Sequence, residues 1–216
     1  MILVGQYDSP FVRRVAIALN HYAVTFERRV LSVFQEFDAF LKVNPLGKAP
    51  ALILPDGELL FDSRAIIEYL EAEASEGRKL TPSNGPLQRQ MLSIEAAGIG
   101  LAEKVYERGI EFSRRSPGTH DPVWIERLDR QINSTLEWLE AELISDWFVG
   151  SDMTRADLAV AVAATYAAEK LPKHYDGEQF PKIEAHRQKC EALPAFSSAA
   201  YSATEARATG WTPEID

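Results

Sequence analysis

In the first 75 or so residues, the spacing of apolar positions changes repeatedly between a pattern typical of strands and one typical of helices. Residues 2–4 form a continuous apolar run typical of a strand, and from Val12 apolar residues recur at the i, i+3, i+4 and i+7 positions of one helix face. Ser9 and Pro10 precede that face, as expected at a helix start. The predicted order is β-α-β-α-β-β-α, with strands near 2–4, 26–30, 51–54 and 58–61 and with helices from Pro10, over 34–41 and from Asp62 or Ser63. The Pro-Asp-Gly turn at 55–57 predicts that the last two strands form a hairpin.

The periodicity fails between Ala74 and Pro86, where glycine, proline, serine and asparagine accumulate. Such a run is typical of a boundary between domains. After it, apolar residues recur every three or four positions from Leu87 and again from Trp124, which predicts two long helices packed side by side. The sequence therefore predicts an α/β domain over 1–76, a linker over 77–86 and an all-helical domain over 87–216.

Gly98 and Gly100 interrupt the apolar stripe of the first long helix. Each glycine inside a helix costs about 1 kcal/mol relative to alanine. We therefore expect a close packing contact or a kink at this place.

A further helix is predicted just after Thr154. The Thr154 hydroxyl and the Asp157 carboxylate have the spacing of a reciprocal capping box, so we expect Asp157 to be structural. Residues 158–164 are apolar on every face, which is typical of a helix at the centre of a bundle. A last helix near 182–193 is followed by a polar tail.

Composition and charge restrict the classes of partner. The chain has 216 residues of which 46% are hydrophobic, so the bulk of it is expected to be folded. It carries 23 basic and 32 acidic residues, a net charge of −9. A broad basic surface for duplex nucleic acid or for an anionic membrane is therefore not expected, and a small molecule or a protein is the favoured partner.

Cysteine and histidine usage excludes several kinds of site. Cys190 is the single cysteine, so there is no disulfide framework, no CxxC redox pair and no multi-cysteine zinc site. The four histidines lack metal-ligand spacing, and no metal is expected. We expect Cys190 to be a buried structural thiol. Without a signal-peptide pattern or a long apolar run, the protein is expected to be soluble and cytoplasmic.

Four segments, in this order and spacing, resemble the cytosolic glutathione transferases, and most closely serine-type bacterial members. They are 7–14 (YDSPFVRR), 44–50 (NPLGKAP), 61–70 (FDSRAIIEYL) and 154–157 (TRAD). The resemblance implies a thioredoxin-like N-terminal domain that carries a glutathione site. It also implies an all-helical C-terminal domain that contributes a hydrophobic substrate pocket, and a homodimer.

The implied chemistry needs a thiolate, whereas a free thiol has a pKa near 8.5 and is mostly protonated at neutral pH. A hydroxyl that donates to the sulfur at a helix N-terminus favours the anion. Ser9 occupies such a position and is the expected catalytic residue. Tyr7 is the alternative hydroxyl. Because no cysteine lies here, a mixed disulfide with glutathione cannot form at this position.

The resemblance also implies binding roles for several other residues. Pro50 is expected to follow a cis peptide bond, and the main chain of Ala49 to pair with the cysteinyl backbone of glutathione. Ser63 and Asp62, at a helix N-terminus, are expected to bind the γ-glutamyl carboxylate and ammonium groups. Arg64 is a further candidate for that carboxylate, and for the glycyl carboxylate Lys48 and a residue near Gln35 both remain open.

For the electrophile pocket the aromatic candidates are Phe11, Tyr106 and Trp211. Phe11 is also expected to lie at the glutathione site. The pairs Arg13-Arg14 and Arg114-Arg115 are expected on solvated helix faces.

The favoured function is conjugation of reduced glutathione to a small apolar electrophile. The alternatives are a non-catalytic glutathione-binding or regulatory module and a glutathione-dependent isomerase or reductase, because one fold hosts many functions.

Overall fold

A four-stranded sheet lies at the centre of the N-terminal part of the chain, in a computed structural model that describes residues 1–208. Its strands are β1 (Ile2–Val4), β2 (Glu27–Arg29), β3 (Ala51–Ile53) and β4 (Leu59–Leu60), in the order β2-β1-β3-β4. β1 is parallel to β2 and antiparallel to β3, with Leu3 opposite both Arg28 and Leu52. β3 and β4 form the predicted hairpin.

The helices of the described residues are numbered in chain order. They are α1 (Pro10–His21), α2 (Phe37–Leu41), α3 (Ser63–Glu73), α4 (Gly85–Ser113), α5 (Pro122–Glu142), α6 (Arg155–Lys170), α7 (Pro181–Glu191), α8 (Pro194–Ser197) and α9 (Ala203–Ala208), with a 3₁₀ turn at Glu76–Arg78. None of these helices is long and apolar enough to cross a membrane.

The chain divides into two compact units. The first comprises Met1–Leu80 together with the segment that begins at Ala192, and the second comprises Thr81–Glu191. The first unit has the thioredoxin-like fold that the resemblance implies, and the second is all-helical.

Helix α1 is covered on more than one face. Val12 and Leu19 on its predicted apolar face are fully buried, and α1 packs against α3 and α8. The prediction of a solvated face for Arg13 and Arg14 is wrong, since only 1% and 2% of their surfaces are exposed. The spacing of apolar residues identifies one buried face of the helix, whereas three elements of the first unit, namely β1, α3 and α8, pack against it.

The polar tail predicted after the last helix contains two further helices, α8 and α9. Asn20 Nδ2 of α1 donates to the carbonyl of Ala195 at 3.0 Å, and Arg13 Nε donates to the carbonyl of Ala199 at 2.8 Å. Phe196 of α8 is fully buried. These contacts attach the segment to the first unit.

The second unit is built around α6, whose residues 158–164 are all buried as predicted. α4 packs along α6, and a buried ion pair joins the two helices, with Arg155 Nη2 3.0 Å from Glu95 Oε2. α4 begins at Gly85, before the predicted start at Leu87, because the Asn84 side chain caps it. α7 packs against α6 and α5.

The two glycines of α4 have different surroundings. A Cβ atom on Gly98 would lie 2.9 Å from the backbone carbonyl carbon of Ala159 and from the backbone nitrogen of Val160 in α6. A Cβ atom on Gly100 would have no neighbour within 4 Å. The expected close contact therefore exists at Gly98 and is absent at Gly100 among the residues described.

This difference predicts opposite effects of two alanine substitutions. Gly98→Ala should lower the free energy of unfolding by about 1–3 kcal/mol, because the α6 backbone must move away. Gly100→Ala should raise it by up to about 1 kcal/mol, because alanine has the higher helix propensity. Urea denaturation of both variants measures the two values. Equal effects of the same sign would contradict the close contact between Gly98 and α6.

Candidate functional site

Ser9 lies where β1 leads into α1 and is the N-cap residue of that helix, with φ −78° and ψ 123°. Its Oγ accepts a hydrogen bond from the Val12 N–H at 3.4 Å. No described residue accepts the hydroxyl hydrogen of Ser9. A half-buried hydroxyl therefore remains available as a donor at the positive end of a helix.

Gly5, just after β1, brings another segment close to this helix. Its φ is +137°, and an added Cβ would lie 2.6 Å from Val12 Cγ2 and 3.2 Å from Ala49 Cβ. Only glycine allows the end of β1, the first turn of α1 and Ala49 to approach one another in this way.

The Ala49–Pro50 peptide bond is cis, as the sequence resemblance implies. Asn44 supports the preceding turn, because its side chain donates to the Lys48 carbonyl at 2.5 Å and accepts from the Leu46 N–H at 3.0 Å. The N–H and carbonyl of Ala49 make no hydrogen bond with any described residue. They are therefore available to pair with an extended ligand backbone.

The N-terminus of α3 provides two further available donors, both from Ser63. The Asp62 carboxylate caps the helix and accepts from the N–H groups of Arg64 at 2.9 Å and Ala65 at 3.3 Å. Ser63 is only 4% exposed, and its Oγ accepts from Arg14 Nη1 at 3.3 Å. Its own N–H and hydroxyl hydrogen are accepted by no residue that the structure describes. This arrangement can bind a carboxylate.

Tyr7, the alternative catalytic hydroxyl, is only 6% exposed and contacts Arg28 and Glu205. Its ring lies under the Arg28 guanidinium, whose carbon is 3.4 Å from the ring centroid, and its N–H donates to Glu205 Oε2 at 2.6 Å. Arg28 also contacts the same carboxylate at 3.0 Å. Burial raises the pKa of the Tyr7 hydroxyl. The phenol therefore stays protonated and covered within the first unit.

The remaining predicted site residues are less informative. Phe11 is half-buried in the first turn of α1, whereas Lys48, Gln35 and Arg64 are exposed. In the second unit Tyr106 is 37% exposed, and burial raises the pKa of its hydroxyl. Trp211 lies outside the described residues. The roles of Phe11 and Tyr106 in an electrophile pocket stay predictions.

The buried polar groups around Asp157 are structural. The predicted capping box is present, and the carboxylate accepts from the Thr154 N–H at 2.7 Å and from the Thr154 hydroxyl at 2.8 Å. Cys190, near the C-terminus of α7, is fully buried as predicted, and burial raises the pKa of its thiol. A protonated, inaccessible thiol is not a nucleophile.

Three contacts near these residues were not predicted: that of Arg14 with Ser63, and those of Arg28 and Glu205 with Tyr7. For Arg14 a signal existed, because apolar residues follow one another through 15–19 and indicate a helix buried on several faces. Glu205 is far away in the sequence, and no local pattern connects it to Tyr7.

Two family profiles match this sequence. Residues 3–78 match the N-terminal domain of glutathione S-transferases, and residues 124–194 match the C-terminal domain. The uncharacterized GST-like protein YibF of Escherichia coli is 31% identical over 77% of this chain and 81% of its own length. Maleylacetoacetate isomerase of Pseudomonas aeruginosa is 30% identical over 92% of this chain and 95% of its own length.

A solved structure supports the same comparison. The glutathione S-transferase of Methylobacterium radiotolerans, crystallised in complex with glutathione sulfonate, superposes with a TM-score of 0.88 at 25% identity. The match covers 94% of this chain and 96% of that one.

Proposed function

Since this chain belongs to the glutathione S-transferase family, we propose that it binds reduced glutathione in its first unit and joins the sulfur of glutathione to a small apolar electrophile. The Methylobacterium relative bound to glutathione sulfonate supports the choice of ligand. The serine-type mechanism, with Ser9 as the catalytic residue, is part of the proposal.

The main support for this proposal is that three sets of hydrogen-bonding groups in the first unit have no partner among the described residues. They are the Ser9 hydroxyl hydrogen, the main chain of Ala49, and the N–H and hydroxyl hydrogen of Ser63. An extended tripeptide thiol has a matching sequence of groups, namely a sulfur, a cysteinyl backbone and a γ-glutamyl carboxylate. Asp62 would pair with the ammonium group beside that carboxylate.

In the proposed reaction Ser9 donates a hydrogen bond to the sulfur of bound glutathione. The thiol proton leaves to solvent, and the thiolate is stabilised by the hydroxyl and by the N-terminus of α1. The thiolate then forms a carbon–sulfur bond with the electrophile. In a substitution, a leaving group departs with its electron pair; in an addition to a conjugated double bond, the resulting carbanion takes up a proton from solvent. Orientation and thiolate stabilisation are the contributions of the protein, without a covalent enzyme intermediate.

A glutathione-dependent isomerase is the second candidate, because the Pseudomonas relative carries that name and aligns over nearly the whole chain. The same thiolate would add to a conjugated double bond, allow rotation about the resulting single bond, and leave again. Glutathione would then be regenerated rather than consumed. Product analysis therefore distinguishes the two reactions.

The other predicted properties are part of the same proposal. Phe11, close to Ser9 in sequence, and Tyr106 would contribute to the electrophile pocket, and the protein would act as a cytoplasmic homodimer. Reduced glutathione is the main thiol of the cytosol, which favours that compartment. Sedimentation equilibrium would measure the oligomeric state.

Calorimetric titration with reduced glutathione tests the binding proposal. We expect saturable binding of one glutathione per chain. Ser63→Ala should weaken it about 10- to 100-fold, because a hydrogen bond to a charged group contributes about 1.5–3 kcal/mol. Ser93→Ala is the matched control, since this exposed serine in α4 bonds the carbonyl of Arg89 in its own helix. Absence of binding at millimolar glutathione would refute the proposed function.

A further inference from the structure

Arg14 is a cation that the first unit buries next to an available hydrogen-bond donor. Only 2% of its surface is exposed, and its Nη1 lies 3.3 Å from Oγ of Ser63, which is itself 4% exposed. α1 and α3 pack against each other, so the contact is formed between two elements of the same unit.

The direction of this hydrogen bond determines what Ser63 can do. A guanidinium group has only donors, so Ser63 Oγ must accept from Arg14. Its hydrogen is therefore directed to another acceptor, and no described residue provides one. The Ser63 N–H is available too, whereas Asp62 already occupies the N–H groups of Arg64 and Ala65.

We propose that Arg14 is a positioning residue. It orients the Ser63 hydroxyl, which in turn binds the α-carboxylate of the γ-glutamyl group. This inference rests on the proposed glutathione binding. The N-terminus of α3 also favours an anion at the same place. Arg14 acts through Ser63 and is not required to touch the ligand.

The role of Arg14 is tested by measuring the dissociation constants of two ligands for variants of two arginines. The ligands are glutathione and an analogue with 4-aminobutyrate in place of the γ-glutamyl residue, which lacks the α-carboxylate and ammonium groups. The variants are Arg14→Met and its matched control Arg13→Met. Arg13 is the adjacent arginine, equally buried, but its Nε donates to the carbonyl of Ala199.

We expect Arg14→Met to raise the dissociation constant of glutathione about 10-fold or more and that of the analogue less than about threefold. Arg13→Met should change the two constants by the same factor. In the Ser63→Ala background, Arg14→Met should have little further effect, because coupled residues are non-additive. Equal weakening of both ligands by Arg14→Met would show a merely structural role and overturn the inference.

Thermal denaturation identifies any variant that does not fold. In that case Arg14→Lys replaces Arg14→Met, since it keeps the charge but loses the planar fork, and it must still weaken glutathione more than the analogue. If wild-type protein binds no glutathione, the proposed function fails. If it binds glutathione but its preference over the analogue is unchanged in both Arg14 variants, only the role of Arg14 fails.

Discussion

Replacing Ser9 with alanine is expected to lower the rate of glutathione conjugation by about one to three orders of magnitude. The hydroxyl is the available donor at the N-terminus of α1, and its loss removes a hydrogen bond that is stronger to the thiolate than to the thiol. The fold should survive, because the lost N-cap contact with Val12 is long, at 3.4 Å, and N-cap residues contribute about 0.5–2 kcal/mol.

The pH dependence identifies the cause of this loss. Ser9 is proposed to lower the pKa of the bound thiol, so Ser9→Ala should raise that pKa toward the value near 8.5 of a free thiol. The rates of the variant and the wild type should differ most at a pH between the two pKa values, where the bound thiol is ionised in the wild type but not in the variant. Above both values the difference should shrink. Ultraviolet absorbance of the bound thiolate and the pH profile of kcat/KM measure the shift.

Tyr7→Phe is the matched control for the hydroxyl at the site. Because the Tyr7 ring is buried beneath Arg28 and Ser9 is the proposed donor to the sulfur, the rate should stay within about threefold of wild type. If Ser9→Ala keeps the full rate and Tyr7→Phe loses most of it, Tyr7 rather than Ser9 is the catalytic residue.

Replacing Asp157 with alanine is expected to destabilise the second unit by about 3–5 kcal/mol, more than the roughly 1 kcal/mol typical of a lost helix cap. The carboxylate is fully buried and accepts from both donors of Thr154. It also accepts from the Phe148 N–H at 2.9 Å and contacts His186 Nε2 at 3.0 Å. Alanine would leave these buried groups without their partner.

Urea denaturation measures this loss, with Asp152→Ala as control. Asp152 is exposed, and among the described residues its carboxylate bonds only the Ser151 hydroxyl, so its loss should change stability by no more than about 0.5 kcal/mol. If Asp157→Ala does not fold, Thr154→Val removes one of the four contacts and should cost less. Equal stability of Asp157→Ala and wild type would contradict the buried network.

Glutathione binding separates this structural role from a role in the site. A folded Asp157 variant should keep the wild-type affinity for glutathione, because the proposed binding groups all belong to the first unit. A specific loss of glutathione affinity without a loss of stability would contradict that assignment.

Local features of the sequence determined much of this protein. The i, i+3, i+4 spacing predicted the long helices, and the Pro-Asp-Gly turn predicted the hairpin of β3 and β4. Ser9 and Asp62 were correctly placed at helix N-termini, and the spacing of Thr154 and Asp157 correctly predicted the capping box. These features depend on residues within a few positions of one another, which sequence patterns report directly.

Only the tertiary structure decided the burial of Arg13 and Arg14, the different surroundings of Gly98 and Gly100, and the contact of Glu205 with Tyr7. Each depends on an element that is distant in the chain: α3 and α8 around α1, α6 beside α4, and α9 beside the end of β1. Periodicity indicates that a helix has a buried face, but the number of elements that cover it depends on long-range packing. A polar side chain can be buried there once a distant partner satisfies its hydrogen bonds.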